Sequence, residues 1–141
     1  MGLDAGTHTF FNGKFTASAE AFAGALRNRN VMMSKVCVVP GWFEDTCTST
    51  TTQDFQMKEA AIVHIDCDLY ESAKTVLRFI TPLLVEGTVL NFDDWFCFRG
   101  NPSLGEQRAF REWSLTMADW TFTEYQKEGP FCNSFIANRR S

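Results

Sequence analysis

The stretch AIVHIDCDLYESAKTVLRF, residues 61–79, decides the fold because a strand pattern and a helix pattern meet in it. Four of its first five residues are apolar, which predicts a buried strand. From Ala73 onward, apolar residues recur at helical spacing, which predicts an amphipathic helix. Two carboxylates, Asp66 and Asp68, lie between the strand and the helix. A strand that leads directly into a helix is typical of an α/β protein.

Further strand and helix patterns flank this stretch. The β-branched run in KVCVVPGWF predicts a buried strand over residues 36–39, and GTVLNFDD predicts another strand. TASAEAFAGALRNR predicts a helix, and Pro82 should end or kink the helix that follows Asp68. Asn12-Gly13 predicts a hairpin turn.

The C-terminal third of the sequence predicts one more helix and a closing pair of strands. Ser103 and Glu106 have the spacing of a capping box, and the helix after them should bury Ala109, Phe110 and Trp113. WTFTEY and FCNSFIA alternate in polarity, which predicts an antiparallel pair. The chain is therefore expected to be a single α/β domain over residues 1–141, with a mostly parallel sheet and an antiparallel C-terminal strand pair.

Composition excludes several classes of function. The 13 Lys and Arg residues against 17 Asp and Glu residues give a net charge of −4, without a basic run, so nucleic acid is not an expected partner. No apolar run is long enough to span a bilayer, and MGLDAGTHTF lacks the features of a signal peptide, so no membrane and a cytoplasmic location are expected. The five cysteines include no CxxC pair, which favours free thiols in a reducing compartment over disulfides or a thiolate metal site.

Four carboxylates lie at the predicted carboxyl ends of two strands. They are Asp66, Asp68, Asp93 and Asp94. Ligands of open α/β sheets bind at these strand ends, and clustered carboxylates repel one another unless a cation relieves them. Oxygen ligands suit Mg²⁺, so Asp66, Asp93 and Asp94 are the predicted metal ligands. Both members of the Asp93-Asp94 pair can face one ion only if the strand has ended before them.

Structural alternatives remain open for the same residues. Asp68 is either a general base toward a hydroxyl group or the N-cap of the helix after it. The Asp93-Asp94 pair also fits a solvated loop. Arginine side chains offer a purely structural relief of the repulsion, and the candidates are Arg99, Arg108 and Arg111.

Several segments together resemble the macrocin O-methyltransferase (TylF-like) family, whose members methylate sugar hydroxyls of antibiotics. The resemblance is carried by HIDCDLYESAKTVLRFITPLLVEGTVLNFDDW and GEQRAFREW, with VVPGWFEDT and GKFTASAEAFAGAL upstream. It covers residues 13–113. The D-x-D-L-Y-E-S run, followed about 25 residues later by Asp-Asp, is its most specific part.

The resemblance implies a class I, S-adenosylmethionine-dependent and Mg²⁺-dependent O-methyltransferase that acts on a sugar or polyol hydroxyl of a small molecule. Carried over by position, Asp66, Asp93 and Asp94 match the family's metal ligands. Asp68 matches the residue proposed as general base in some members. The adenine side of the cofactor is expected at Gly41 and Trp42.

The sequence departs from the family at its N-terminal side. A strand followed by a Gly-rich cofactor loop is not found, so the chain is expected to be the C-terminal part of a methyltransferase-like domain. Its sheet should be a partial Rossmann-like class I sheet that lacks the first two strands. Either an active enzyme or an inactive short form fits. The alternative functions are a non-catalytic domain that keeps the metal-site carboxylates without binding cofactor and, more distantly, a metal-dependent hydrolase.

The absent strands leave an apolar sheet edge to be covered. In the family's sheet they would lie between the strand at residues 36–39 and the strand at residues 61–66. We expect either that these two strands pair directly or that a homodimer covers the exposed edge.

Overall fold

A computed structural model describes residues 17–141, which form two compact units divided between Trp42 and Phe43. The predicted hairpin at Asn12-Gly13 lies outside the described residues. The assignment of residues 1–141 to a single domain stays a prediction. Within residues 17–141, no helix is both long and apolar enough to cross a membrane.

The first unit contains the predicted helix but not the predicted strand. Helix α1 spans Ala19–Asn28, and the Ser18 hydroxyl caps it by accepting a hydrogen bond from the Ala21 N–H at 3.1 Å. A 3₁₀ turn follows at Met33–Lys35. The strand predicted over residues 36–39 is wrong, because Val38 and Val39 are 41% and 40% exposed and no ladder forms there. Strand preference reflects packing in a half-buried sheet, and this run has no strand partner among the described residues.

The second unit is a mixed α/β structure built on a four-stranded sheet. The strands are β1 Ala60–Ile65, β2 Leu84–Phe92, β3 Trp120–Glu124 and β4 Asn133–Arg139. The helices are α2 Phe43–Thr46, α3 Ser49–Asp54, α4 Tyr70–Ile80 and α5 Gly105–Thr116. In the order β1-β2-β4-β3, β1 is parallel to β2, and the other two pairings are antiparallel.

This topology confirms the predicted α/β class and the antiparallel closing pair. The sheet was predicted to be mostly parallel, and in the described residues it is mixed, with one parallel and two antiparallel pairings. It also settles one of the two expectations for the sheet edge. Residues 36–39 form no strand, so direct pairing of that segment with β1 is wrong. Within residues 17–141, β1 is an edge strand of the sheet.

The core lies between the sheet and helices α4 and α5. Helix α4 buries Ala73, Leu77 and Ile80, which recur at helical spacing as predicted. Helix α5 buries Ala109, Phe110 and Trp113, also as predicted. Alternate residues of β2 point into this core; they are Thr88, Leu90 and Phe92.

Aromatic rings fix the chain where it leaves β2. Phe110 stacks on Phe135 with ring centroids 4.4 Å apart. Trp95 packs against Phe135 at 4.9 Å and against Phe92 at 5.1 Å. Trp95 is therefore a packing residue, and its contacts hold the preceding pair of aspartates close to the end of β2.

The segment between α4 and β2 follows the proline prediction. Helix α4 ends at Ile80, and a 3₁₀ turn over Thr81–Leu83 contains Pro82. Strand β2 then begins at Leu84, earlier than the GTVLNFDD pattern predicts. The strand is irregular near Gly87, and buried Thr88 stabilises it by donating to the Ala60 carbonyl at 2.6 Å.

Candidate metal centre

Three aspartates meet at the carboxyl ends of β1 and β2. Asp66 directly follows β1, and Asp93 and Asp94 follow β2, which ends at Phe92. The Asp93 N–H donates to the Ile65 carbonyl at 2.9 Å, so the two strand ends are level. One carboxylate oxygen from each aspartate lies within 4.8 Å of the others. The structure thus brings together the three residues predicted as metal ligands, and their role stays a prediction.

Asp68 joins the same cluster from the loop between β1 and α4. Here, ligand atoms of three side chains lie within 4.8 Å of one another: the Asp68 carboxylate, the Asp94 carboxylate and the Cys97 thiol. Helix α4 has Leu69 as its N-cap, without a side-chain capping bond, so Asp68 does not cap the helix. Its backbone has a φ of 51°, a left-handed conformation that is uncommon for residues other than glycine.

Gly105 allows α5 to begin close to this loop. A Cβ at this position would lie 3.0 Å from the Asp68 carbonyl oxygen and 2.5 Å from the Phe98 ring. The φ of Gly105 is +52°, which also favours glycine. The close approach of α5 to the aspartates therefore depends on the absence of a side chain here.

Two carboxylates of the cluster, those of Asp66 and Asp68, hold their protons more tightly than free ones. The pKa of Asp66 is raised by burial and then by repulsion from Asp93 and Asp94. The pKa of Asp68 is raised to about 7 by burial, then by a hydrogen bond with Asp94 and by repulsion from that residue. Both shifts mean that the cluster favours added positive charge, whether a proton or a cation.

Arginine does not supply that charge in the described part of the chain. The salt bridges found over residues 17–141 are Lys74–Glu71, Arg108–Glu112 and Lys127–Glu124, and none involves the four aspartates. The alternative in which Arg108 neutralises the cluster is thus not realised, because its guanidinium pairs with Glu112 at 2.8 Å.

Two thiols donate hydrogen bonds to the aspartates. Cys97 Sγ lies 2.8 Å from Asp94 Oδ1, and Cys132 Sγ lies 3.2 Å from Asp93 Oδ1. Burial is the largest cause that raises the pKa of Cys97 to about 12 and that of Cys132 to about 11, so both thiols are protonated donors near neutral pH. Neither contact was predicted from the sequence. The spacing of three residues from Asp94 was a usable indication for Cys97, whereas Cys132 is 39 residues from Asp93.

Glu106 is a third residue of the site, after Cys97 and Cys132, that was not predicted from the sequence. The predicted capping box is wrong, because Leu104 is the N-cap of α5 and Ser103 donates its N–H to Asn101 instead. The Glu106 carboxylate accepts the Cys67 N–H at 3.3 Å and the Asp94 N–H at 3.0 Å. The side chain thus lies against the aspartate cluster.

The two residues predicted to bind the cofactor do not belong to the same unit as the aspartates. Gly41 and Trp42 belong to the first unit, and Trp42 is 77% exposed. Their role in cofactor binding stays a prediction.

Solved O-methyltransferases share this fold. The structure of the O-methyltransferase NovP matches with a TM-score of 0.69 at 21% identity, over 87% of this chain and 46% of that one. The calicheamicin methyltransferase CalS11 matches with a TM-score of 0.66 at 22% identity, over 94% of this chain and 53% of that one. The apo structure of CalS11, described as a TDP-rhamnose 3′-O-methyltransferase, gives 0.57 at 21% identity, over 89% of this chain and 55% of that one.

The fold is therefore that of O-methyltransferases, and the sequence defines the family. The family model for macrocin-O-methyltransferase (TylF) matches residues 3–126, and the chain belongs to this family. A curated relative from Streptomyces olivaceus is 29% identical over 84 residues, which are 60% of this chain and 30% of the relative. It is an 8-demethyl-8-(2,3-dimethoxy-α-L-rhamnosyl)-tetracenomycin-C 4′-O-methyltransferase. The chain spans about a third of this relative and about half of the solved structures.

Proposed function

We propose that this chain functions in an S-adenosylmethionine- and Mg²⁺-dependent O-methyltransferase whose acceptor is a sugar or polyol hydroxyl. The observation that carries the proposal is the cluster of Asp66, Asp93 and Asp94, with oxygens within 4.8 Å of one another. Family membership supports methyl transfer, and the two relatives named for rhamnose-containing substrates support a sugar acceptor. The free thiols support a reducing, cytoplasmic compartment.

The donor set fits Mg²⁺. All three groups are hard oxygen donors on two adjacent strand ends, and Mg²⁺ is bound by few carboxylates while it keeps several waters. Ligands at about 2.1 Å from one ion lie roughly 3–4 Å from each other, so a small side-chain adjustment is enough. When bound, Mg²⁺ would acidify an acceptor hydroxyl, and S-adenosylmethionine would supply the methyl group.

The chain's own residues supply the proton acceptor and the orientation. Asp68, whose pKa is raised to about 7 in the ion-free cluster by burial and then by Asp94, would take the proton from an acceptor hydroxyl. Cys97 donates to one oxygen of Asp94 and Cys132 donates to one oxygen of Asp93, and these bonds would orient the two carboxylates.

A non-catalytic domain is the second candidate function. One observation favours it: within residues 43–141, neither β1 nor β2 is followed by a glycine-rich loop of the kind that holds the cofactor in class I methyltransferases. Such a domain would keep the carboxylate cluster and bind a divalent ion without binding S-adenosylmethionine.

Titration calorimetry of the intact chain with Mg²⁺ and S-adenosylmethionine separates the two candidates. For the enzyme we expect binding of both ligands, followed by methyl transfer to a sugar acceptor in a mass-spectrometric assay. Binding of Mg²⁺ alone would favour the non-catalytic domain. If neither ligand binds, the proposed function is contradicted. The variant Asp54→Asn removes an exposed carboxylate on α3 and should bind as the unchanged protein does.

We also propose that two copies of the chain pair along β1. Ile62, at the middle of this edge strand, is 71% exposed, and a groove of about 420 Å³ beside it is lined by apolar side chains such as Met57 and Phe79. The Ile65 carbonyl faces β2, so the peptide groups of Ile62 and His64 face away from the sheet. In an antiparallel pairing centred on Ile62, Lys58 of one copy would lie opposite the acidic C-terminal end of β1 in the other copy. The positive and negative charges would then be complementary.

Ile62→Lys should convert the dimer to a monomer, because it places a charge at the centre of the paired edges. Light scattering coupled to size-exclusion chromatography reports the mass. Leu115→Lys is the matched control, since Leu115 is 86% exposed on α5, far along the chain from β1, and should leave the dimer intact. A monodisperse monomer in the unchanged protein rules out this pairing.

A further inference from the structure

Glu106 is an ionisable side chain inside the core that the proposed mechanism leaves without a role. It is 1% exposed, and it lies in the first turn of α5. Burial of a carboxylate is costly unless hydrogen bonds compensate it. Both oxygens of Glu106 have partners, and each partner is a backbone N–H at the end of a different strand.

The two N–H groups belong to the segments that carry the aspartates. Cys67, which donates to Glu106 Oε1 at 3.3 Å, lies between Asp66 and Asp68. Asp94 donates its own N–H to Glu106 Oε2 at 3.0 Å. One carboxylate therefore connects the segment after β1 with the segment after β2.

The hydrogen bonds of Glu106 begin where the backbone pairing of β1 and β2 ends. The bond from the Asp93 N–H to the Ile65 carbonyl, at 2.9 Å, is the last backbone hydrogen bond between the two segments in the described residues. Beyond it, Glu106 accepts from both segments at once. The N-terminal end of α5 favours a negative charge at this position, and Gly105 permits the close approach.

We propose that Glu106 is a positioning residue of the metal centre: its carboxylate sets the separation between the Asp66–Asp68 segment and Asp94. The inference rests on the proposed function, since it assumes that Asp66, Asp93 and Asp94 hold a divalent ion. Mutation of residues that hydrogen-bond to metal ligands and orient them commonly lowers metal affinity about 10- to 100-fold. Glu106 would act in this way through the backbone of the ligand residues.

Glu106→Gln tests the inference with little change of shape. A glutamine side chain has one acceptor oxygen and one NH₂ group, so it can accept only one of the two N–H groups and faces the other with a donor. We expect the affinity for Mn²⁺, measured by electron paramagnetic resonance on the intact chain, to fall about 10- to 100-fold. Glu112→Gln is the matched control, because Glu112 lies on the same helix with an exposed side chain and should leave Mn²⁺ affinity unchanged.

Amide NMR separates positioning from the simple loss of a charge. In the ion-free variant, the amide resonances of Cys67 or Asp94 should shift from their wild-type positions, because one hydrogen bond is lost. If Mn²⁺ affinity falls while both amides keep their shifts, the effect is due to charge alone and the inference is wrong. Should the variant fail to fold, amide hydrogen exchange in the unchanged protein decides: rapid exchange at Cys67 and Asp94 overturns the inference, and protection supports it.

The experiment also distinguishes the inference from its premise. If the unchanged protein binds no Mn²⁺, the proposed metal centre fails and the inference falls with it. If the unchanged protein binds Mn²⁺ and Glu106→Gln binds it equally well, only the role of Glu106 is overturned.

Discussion

Replacing Asp94 with asparagine should abolish strong divalent-ion binding and, at the same time, raise the melting temperature of the ion-free protein. Asp94 belongs to both groups of possible ligand atoms, one with Asp66 and Asp93 and the other with Asp68 and Cys97. Loss of a direct carboxylate ligand should cost at least as much as loss of an orienting group, which is about 100-fold at its upper end. The two effects have opposite signs because the same negative charge attracts an ion and repels its neighbours.

The gain in stability follows from the electrostatics of the cluster. Asp94 raises the pKa of Asp68 through a hydrogen bond and repulsion, and it contributes to the raised pKa of Asp66 after burial and Asp93. Asparagine removes that charge and keeps an oxygen that can accept the Cys97 thiol. Because these groups are partly exposed, solvent screens them, and the expected gain is about 1 kcal/mol. In a chain of this size that corresponds to roughly 4 °C.

Thermal melts with chelator and with saturating Mg²⁺ or Mn²⁺ measure both effects. The unchanged protein should melt higher with the ion, whereas Asp94→Asn should melt at one temperature under both conditions. Asp54→Asn removes one charge from an exposed position on α3 and should behave as the unchanged protein. A variant that is less stable without the ion and still gains stability from it would show that the aspartates do not share a cation.

The parts of the fold that sequence predicts well are those governed by local periodicity. The strand, loop and helix of residues 61–79 appear as β1 and α4, because both elements bury one apolar face in the same core. The buried face of α5 was predicted for the same reason. Residues 36–39 have an equally strong strand pattern and form none, since a strand also needs a neighbour to pair with.

In the candidate site, too, the parts that follow from local sequence are predictable and the parts that come from distant segments are not. The meeting of Asp66 with Asp93 and Asp94 is predictable, because the carboxyl ends of parallel neighbours coincide and because β2 ends before both aspartates. The parts contributed by distant segments are not predictable from local sequence. Cys132 reaches Asp93 across 39 residues, and Glu106 reaches Cys67 across 39 as well.

Glu106 shows why a local motif can mislead. Its spacing from Ser103 fits a capping box, which would satisfy backbone N–H groups of its own helix. In the structure, the backbone N–H groups that it satisfies belong to Cys67 and Asp94. The physical need is the same in both cases, but the sequence alone does not reveal which N–H groups lie within reach.

Raising the pH from 5 to 8 should destabilise the ion-free protein. The folded-state pKa is raised to about 7 for Asp68, from 3.8, and to about 8 for Glu106, from 4.5, with burial as the largest cause in each case. Between the ordinary and the raised values, the folded protein binds more protons than the unfolded chain, so stability falls as the pH rises. Glu112 and Glu124 have lowered pKa values and therefore act in the opposite direction, but they do so below pH 5.

A divalent ion should remove this pH dependence above neutrality, because it takes the place of the protons in the aspartate cluster. Ion binding at pH 6.5 should then release protons, and the calorimetric heat should vary with the ionisation enthalpy of the buffer. Asp68→Asn should flatten the ion-free profile, since it removes one of the two groups that titrate in this range. Melting temperatures from pH 5 to 8.5, with chelator and with Mg²⁺, measure the whole pattern. An ion-free protein that becomes more stable over this range would mean that the carboxylates are paired with positive charge, and a shared divalent ion would then have no electrostatic reason to bind.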